Sequence, residues 1–146
     1  MAVTFLLRDS ARPLSMMPGD TVKAAVRNMI DFDTGAIAVI DDDRRAIGIF
    51  SKKDLLGKVI AVDRDPNTTL LGDVMSTDIV PASDSLTIEE CLRLMKEYKI
   101  RHLVLVNPEG QYTGLFSLCE LLENRIFELT DSLQSMEGYL NDSLGG

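Results

Sequence analysis

The chain has 146 residues, of which 45% are hydrophobic and 26% are charged, a balance that predicts a folded globular protein and excludes a fully disordered one. Its formal net charge of −8 at pH 7 argues against nucleic acid as a partner, because such binding needs a basic surface. No apolar run approaches the roughly 20 residues that span a bilayer, and the segment Met1–Leu7 lacks the basic stretch of a signal peptide, so we expect no membrane span and a cytoplasmic location.

The first predicted helix covers residues 21–29, where apolar side chains recur at the helical period. Asp20 or Thr21 is expected as its N-cap, since a short side-chain oxygen can accept the unpaired amide hydrogens of the first turn. A short apolar run at residues 37–40 then predicts a buried strand, and a polar turn leads into a second strand at residues 46–50.

Ser51 is expected to cap the next helix, with Asp54 at the third helical position. This is the spacing of a capping box, in which the two residues satisfy each other's backbone amides. Beyond this helix, residues 61–73 include the polar, turn-prone segment 63–67, which indicates a linker.

The same succession returns 66 residues later in the chain. Gly48-Ile-Phe-Ser-Lys-Lys-Asp-Leu-Leu56 aligns with Gly114-Leu-Phe-Ser-Leu-Cys-Glu-Leu-Leu122, and the alignment extends back without a gap to Thr21 and Thr87. A match over a whole unit points to duplication. The second unit is therefore predicted to repeat the helix, two strands and helix of the first, with Ser85 or Thr87 as its first N-cap.

These residues resemble the CBS domains, a family whose members usually occur as tandem pairs. The resemblance covers about residues 8 to 126 and rests on the run Met75–Leu86, the helix end Leu94–Ile100, the strand Arg101–Val106 and the two Gly-x-Phe-Ser-x-x-Asp/Glu segments. It implies an α+β fold of two β-α-β-β-α units packed as a pseudo-twofold disc with two clefts, and the apolar spacing of the tail adds a C-terminal helix that exceeds the family's usual ending. The expected divisions are unit 1 at 8–60, a linker at 61–73, unit 2 at 74–124 and a C-terminal amphipathic helix and tail at 125–146.

The resemblance also implies a function. In the family the clefts receive AMP, ADP, ATP or other adenosyl compounds, so we expect a non-catalytic regulatory (Bateman) module that signals to an unknown protein target. No catalytic residue, metal site or cofactor is expected, because no nucleophile-and-base pair, glycine-rich phosphate loop or metal ligand set is apparent. The nucleotide would be a regulatory ligand, bound with or without magnesium. A structural dimerisation module without a physiological ligand is the alternative.

The resemblance assigns most of the binding residues to the first cleft. In the family the Asp of the Gly-x-x-Ser/Thr-x-x-Asp segment accepts hydrogen bonds from both ribose hydroxyls, and basic residues at the start of the partner unit's first strand face the phosphate. An ionised carboxylate can accept two donors at once, which suits a cis-diol. The residues expected at this cleft are Ser51, Lys52, Lys53, Asp54, Thr77, Asp78, Ile79, Arg101 and His102.

Each of these residues also has a purely structural interpretation. Ser51 and Asp54 alone would make a helix cap, and Arg101 with His102 would be an ordinary solvated strand end.

The second cleft departs from the family pattern. Glu120 stands where the first cleft has Asp54, and Gly35 and Ala36 stand at the positions that match Arg101 and His102. We expect a weaker second cleft formed by Arg12, Ser117 and Glu120, and hence one dominant nucleotide site.

Beyond the second unit an apolar stripe continues at helical spacing. Its members follow one another at intervals of 4, 3, 4, 3 and 4 residues, and they are Leu122, Ile126, Leu129, Leu133, Met136 and Leu140. This stripe predicts a continued helix that packs either on the chain's own body or against another subunit. We expect a homodimer, because CBS pairs often assemble as dimers.

Overall fold

The computed structural model describes residues 14–145, with side chains described as far as Gly138. The first unit contains, in chain order, β1 (Ser15–Met16), α1 (Val22–Asp31), β2 (Ala36–Ile40), β3 (Ala46–Ser51) and α2 (Lys52–Leu55), which runs on into a π-helical turn (Leu56–Ile60). The short helix α3 (Leu71–Val74) follows, and the second unit contains β4 (Pro81–Ser83), α4 (Ile88–Tyr98), β5 (His102–Val106), β6 (Tyr112–Ser117) and α5 (Leu118–Gly145). The predicted start of unit 1 at residue 8, Arg12 and the side chain of Leu140 lie outside this description.

Threonine caps the first helix of both units. Thr21 Oγ1 accepts a hydrogen bond from the Ala24 amide at 3.2 Å, and Thr87 Oγ1 accepts one from the Glu90 amide at 3.1 Å. Of the two residues predicted for each cap, the one directly before the first helical residue therefore does the capping. Asp20 instead accepts a hydrogen bond from the Met17 amide, in the turn before α1.

Each unit builds a three-stranded sheet with the same order and the same directions. The first strand runs parallel to the second, and the third runs antiparallel to the second. Ala36 lies opposite Ser51 in the first sheet, and His102 lies opposite Ser117 in the second. These pairs are displaced by the 66 residues of the sequence repeat, so the duplication extends to the backbone register and the predicted α+β fold is confirmed.

Strand β2 is buried along its whole length because both of its faces are covered. Ile37 and Val39 belong to the core between the first sheet and its helices, whereas Ala38 and Ile40 pack with Val104 of the second sheet. This double burial explains why the strand reads as an unbroken apolar run. The two units therefore pack through their sheets, as the family resemblance implied.

The predicted linker at residues 61–73 is held against the first unit. The amide of Val22 donates to the carbonyl of Thr69 at 2.9 Å, and the amide of Leu71 donates to the carbonyl of Asp20 at 2.9 Å. Leu71 is fully buried and, with Val74, belongs to the core of the first unit. The end of the connection is thus part of a packed domain.

The segment after α3 approaches β3 closely. Ile49 and Ser76 exchange two backbone hydrogen bonds, of 2.9 and 2.8 Å. Gly48 makes this approach possible, because a Cβ atom there would lie 2.7 Å from Met75 Sδ and 2.9 Å from the Ser76 carbonyl oxygen. The absence of a side chain at Gly48 therefore lets the inter-unit segment, residues 75–80 between α3 and β4, lie against the first sheet.

Helix α5 is anchored to the second unit near its start. Leu121 is fully buried, and Arg125 forms an ion pair with Glu89 of α4 at 3.4 Å. Beyond this point the predicted apolar stripe faces outward, with exposed fractions of 63% for Ile126, 48% for Leu129, 61% for Leu133 and 61% for Met136. Packing of these four side chains on the chain's own body, one of the two predicted alternatives, is therefore wrong. No helix within residues 14–145, α5 included, is both long and apolar enough to cross a membrane.

Candidate ligand-binding cleft

A cleft of about 620 Å³ opens where the end of β3 and the start of α2 face the start of β5. Cavities of roughly 300–1,000 Å³ are typical of small-molecule sites. The structure brings eight of the nine residues predicted for the first cleft to its walls, namely Ser51, Lys52, Lys53, Asp54, Asp78, Ile79, Arg101 and His102. Residues from both units thus meet around one cavity.

Thr77 is the predicted residue that the cleft does not include. Its side chain is exposed, and its carbonyl accepts a hydrogen bond from the Ile79 amide at 2.9 Å. The neighbouring residues Ser76 and Val80 line the cavity instead.

Sequence reasoning missed six of the lining residues, which are Gly35, Ile49, Ser76, Val80, Lys99 and Ile100. Lys99 and Ile100 directly precede Arg101, so their adjacency was a usable signal. No sequence signal pointed to Ser76, because its place at the cleft depends on the inter-unit segment lying against β3.

Ser51 and Asp54 form the predicted capping box at the start of α2. Ser51 Oγ accepts a hydrogen bond from the Asp54 amide at 3.4 Å. In return, Asp54 Oδ2 accepts from the Ser51 amide at 3.0 Å and from Ser51 Oγ at 3.1 Å. The local cap thereby fixes the carboxylate at the wall of the cleft.

The second carboxylate oxygen of Asp54 is bonded to residues outside the cap. Oδ1 accepts from Ser76 Oγ at 2.8 Å and lies 3.1 Å from Lys58 Nζ. Burial to 5% exposure raises the pKa of Asp54, but the donors Ser76, Ser51 and Lys58 outweigh it and hold the pKa below its ordinary value. The carboxylate is consequently ionised at neutral pH.

Basic groups from both units line the cleft. Lys52, Lys53, Lys99 and Arg101 all have exposed side chains that line it. Lys99 takes a left-handed conformation, with φ of 55°, at the C-terminal cap of α4. Four cations around one cavity favour a ligand with an anionic group, despite the acidic net charge of the chain.

His102 is partly buried at the start of β5. Burial lowers its pKa, Arg101 lowers it further, and the carboxylates of Glu120 and Asp54 act in the opposite direction without restoring the ordinary value. The imidazole is therefore mostly neutral at pH 7.

The matching residues of the second unit are arranged differently. Glu120 Oε1 accepts from the Ser117 amide at 3.2 Å, and Ser117 Oγ accepts from the Glu120 amide at 3.1 Å, so the cap is repeated. Glu120 is nevertheless exposed, whereas Asp54 is buried. Ala36, which occupies the place of His102, is buried and uncharged. Arg12, the third residue predicted for this cleft, lies outside the described residues.

The side chains that could bind a metal ion, and the buried free thiol of Cys91, also bear on the chemistry of the chain. Within residues 14–145 no group of three or more His, Cys, Asp or Glu side chains is arranged to hold a metal ion. Burial, together with the nearby Glu90, raises the pKa of Cys91 to about 11, so this thiol is protonated at neutral pH.

Two segments of the chain, residues 9–61 and 71–126, match the family model described as CBS domain. The CBS domain-containing protein CBSCBSPB1 of Arabidopsis thaliana is 31% identical over 114 residues, which are 78% of this chain and 21% of that protein. The chain spans 54%, 21% and 60% of the lengths of three curated relatives that it matches.

Solved structures share the fold. A protein with CBS domains from Burkholderia ambifaria superposes with a TM-score of 0.75 at 26% identity, covering 86% of this chain and 94% of that one. CBS domain protein PAE2072 from Pyrobaculum aerophilum, solved as a complex with AMP, superposes with a TM-score of 0.71 at 20% identity, covering 81% and 88%.

Proposed function

The chain belongs to the CBS-domain family as a tandem pair of units, and we propose that it is a regulatory module that binds an adenine nucleotide or another adenosyl ligand. One observation carries this proposal: Ser51 and Asp54 of the first unit line the same cleft as Arg101 and His102 of the second. The AMP complex of the Pyrobaculum aerophilum protein supports the choice of ligand class.

The chemistry of the cleft fits the parts of such a ligand. The ionised Asp54 carboxylate is an acceptor for a ribose hydroxyl, and the cations Lys52, Lys53 and Arg101 are partners for phosphate. Ile49 and Ile79 give the cavity an apolar portion suited to a purine base. Each end of the ligand thus meets groups of matching polarity.

Occupancy is proposed to act on a protein target through the two units. A ligand that touches Asp54 and Arg101 joins the first unit to the second, because Asp54 lies in α2 of the first unit and Arg101 directly precedes β5 of the second. Binding can shift the target's equilibrium only if the ligand has unequal affinity for its two states. We propose that the module itself is not catalytic, and that it acts as a homodimer.

Isothermal titration calorimetry with AMP and ATP tests the binding role. We expect one dominant site per chain, and we expect Asp54→Ala and Arg101→Ala each to weaken binding about tenfold or more, since a hydrogen bond to a charged group contributes about 1.5–3 kcal/mol. Glu120→Ala is the matched control, because it removes the equivalent carboxylate of the second unit; with adenosine, which has no phosphate to meet His102, it should leave the Kd within about twofold.

Asp54→Ala also removes the cap of α2, so thermal unfolding must show that this variant is folded at the titration temperature. Arg101 is exposed, and its replacement carries no such cost. Two equal sites per chain, or binding unaffected by both substitutions, would contradict the proposal.

The second candidate function is a dimerisation module without a physiological ligand, and the exposed apolar stripe of α5 favours it. A thermal-shift panel of adenosine, AMP, ADP, ATP and S-adenosylmethionine separates the two candidates. A dimer that none of these compounds stabilises would support the scaffold and count against the sensor.

A further inference from the structure

The carboxylate that would receive the ribose is already fully hydrogen-bonded. A carboxylate offers about four acceptor positions. In Asp54 these are taken by the Ser51 amide at 3.0 Å, Ser51 Oγ at 3.1 Å, Ser76 Oγ at 2.8 Å and Lys58 Nζ at 3.1 Å. Because Asp54 is only 5% exposed, a ribose hydroxyl can bind it only by displacing one of these donors.

The four donors are not equally easy to displace. The two from Ser51 form the cap of α2 and bind Oδ2 within one helical turn. Ser76 lies on a segment held to β3 by two backbone hydrogen bonds with Ile49. Lys58 is a long side chain on the π-helical turn, and 47% of it is exposed, so its ammonium can move into water.

We propose that Lys58 is an affinity-determining residue of this cleft, because its ammonium occupies the Asp54 oxygen that a ribose needs and every ligand must bind in competition with it. The inference rests on the proposed function and deepens it. A neutral nucleoside breaks the Lys58–Asp54 ion pair and offers no charge in return. The net cost of that exchange raises its Kd.

The exchange also reaches the segment between the units. Lys58 Nζ lies 3.3 Å from Ser76 Oγ, so one ammonium contacts both the acid of the first unit and the start of the connection to the second. When a ligand displaces Lys58 from Asp54, Ser76 loses a charged neighbour. The cleft and the inter-unit segment are therefore linked by this three-residue cluster.

Calorimetric titration with adenosine tests the proposal in four proteins: the parent chain, Lys58→Met, Lys58→Arg and Lys96→Met. Methionine keeps an unbranched, flexible side chain but removes the charge, so Lys58→Met should bind adenosine about two- to fivefold more tightly, which is the range expected for a partly exposed ion pair. Lys58→Arg retains the competing cation and should resemble the parent. Lys96→Met makes the same change of net charge on α4, at a residue that does not line the cleft, and should also resemble the parent.

The predicted effect is a gain of affinity, which misfolding would not produce. Lys58→Met that binds adenosine equally or more weakly, with an unchanged unfolding midpoint, would overturn the role of Lys58 and leave the proposed function intact. Equal tightening in Lys58→Met and Lys96→Met would overturn it as well, because a general charge effect would then be the cause. Failure of all four proteins to bind adenosine or AMP would overturn the proposed function together with this inference.

Discussion

His102 is the residue of the cleft whose charge is most sensitive to pH near neutrality. Its pKa is lowered by burial and by Arg101, while Glu120 and Asp54 oppose that shift. A bound phosphate would stabilise the imidazolium and raise the pKa again. Ligand binding and proton binding at His102 are therefore expected to reinforce each other.

We predict that lowering the pH increases the affinity of the parent chain for AMP relative to that of the His102→Gln variant, which has no imidazole to protonate. In the ligand-free protein the pKa of His102 lies below its ordinary 6.5. The gain in AMP affinity therefore appears as the pH falls through and below that value. Comparing the Kd of the two proteins at pH 7.5 and 5.5 cancels the titration of AMP itself. The Kd of His102→Gln divided by the Kd of the parent should grow roughly three- to tenfold from pH 7.5 to pH 5.5, since one pKa unit corresponds to a factor of ten.

Adenosine is the control for this prediction, because it has no phosphate and its Kd ratio should change little. A ratio for AMP that stays constant with pH would show that His102 does not meet the phosphate. Lower pH has the opposite effect on the stability of the ligand-free protein. Because the pKa of His102 is lower in the folded state than in the unfolded state, stability is lost as the pH falls below about 6.5.

Much of the cleft could be predicted from single residues because the family motif is local. Ser51 and Asp54 stand three residues apart in one cap, and Arg101 directly precedes His102, the first residue of β5. Ser76 was missed because its bond to Asp54 joins positions 22 residues apart and depends on tertiary packing. Lys58 was detectable in principle, since it stands four residues after Asp54, a spacing that allows an ion pair.

At the scale of secondary-structure elements, the approach of the inter-unit segment to β3 depends on Gly48. We predict that Gly48→Ala lowers the free energy of unfolding by about 1–3 kcal/mol, because the new methyl group overpacks against Met75 and the Ser76 carbonyl. Urea denaturation measures the loss. The displaced Ser76 should also weaken its hydrogen bond to Asp54 and change the affinity of the cleft.

Gly57→Ala is the matched control for this substitution. A Cβ at Gly57 has no atom within 4 Å, so alanine there should be neutral or slightly stabilising. Equal stability of the two variants would contradict the role given to Gly48.

The exposed stripe of α5 gives the proposed homodimer a specific surface. We predict that Leu133→Glu shifts the protein from dimer to monomer in sedimentation velocity, because it places a charge in the centre of the apolar stripe. Leu133 is 61% exposed in the single chain, so the substitution should leave the unfolding midpoint nearly unchanged.

Gln134→Glu introduces the same charge one position away, off the stripe, and should preserve the dimer. If Leu133→Glu and Gln134→Glu sediment alike, α5 does not form the contact between subunits.

Elements were predicted well where the pattern is periodic and local. The helices and strands of both units follow the apolar spacing and the threonine and serine caps. The packing of Leu71 and Val74 into the first core was not predicted, because a four-residue helix is too short to show a period. The outward direction of the α5 stripe likewise depends on which surfaces remain uncovered, and the sequence pattern allowed both outcomes.

For the whole molecule, the repeat predicted two equivalent units, and the structure shows how far the equivalence extends. Strand order, directions and register are the same in both sheets. The packing of one sheet on the other came from the family resemblance, because no local pattern reports it. The difference between the units lies in their polar groups: a buried Asp54 against an exposed Glu120, and His102 against the buried Ala36.

The exposed side of α5 has a consequence for the behaviour of the protein in salt. From Leu118 to Gly138 the helix carries five acidic residues and one basic residue, Arg125, and the chain as a whole has a net charge of −8. Copies that approach through the apolar stripe therefore repel one another electrostatically. Added salt shortens the range of that repulsion to about 10 Å at 0.1 M and less above it. Association through this helix should consequently strengthen as the ionic strength rises, the opposite of an interface held by ion pairs.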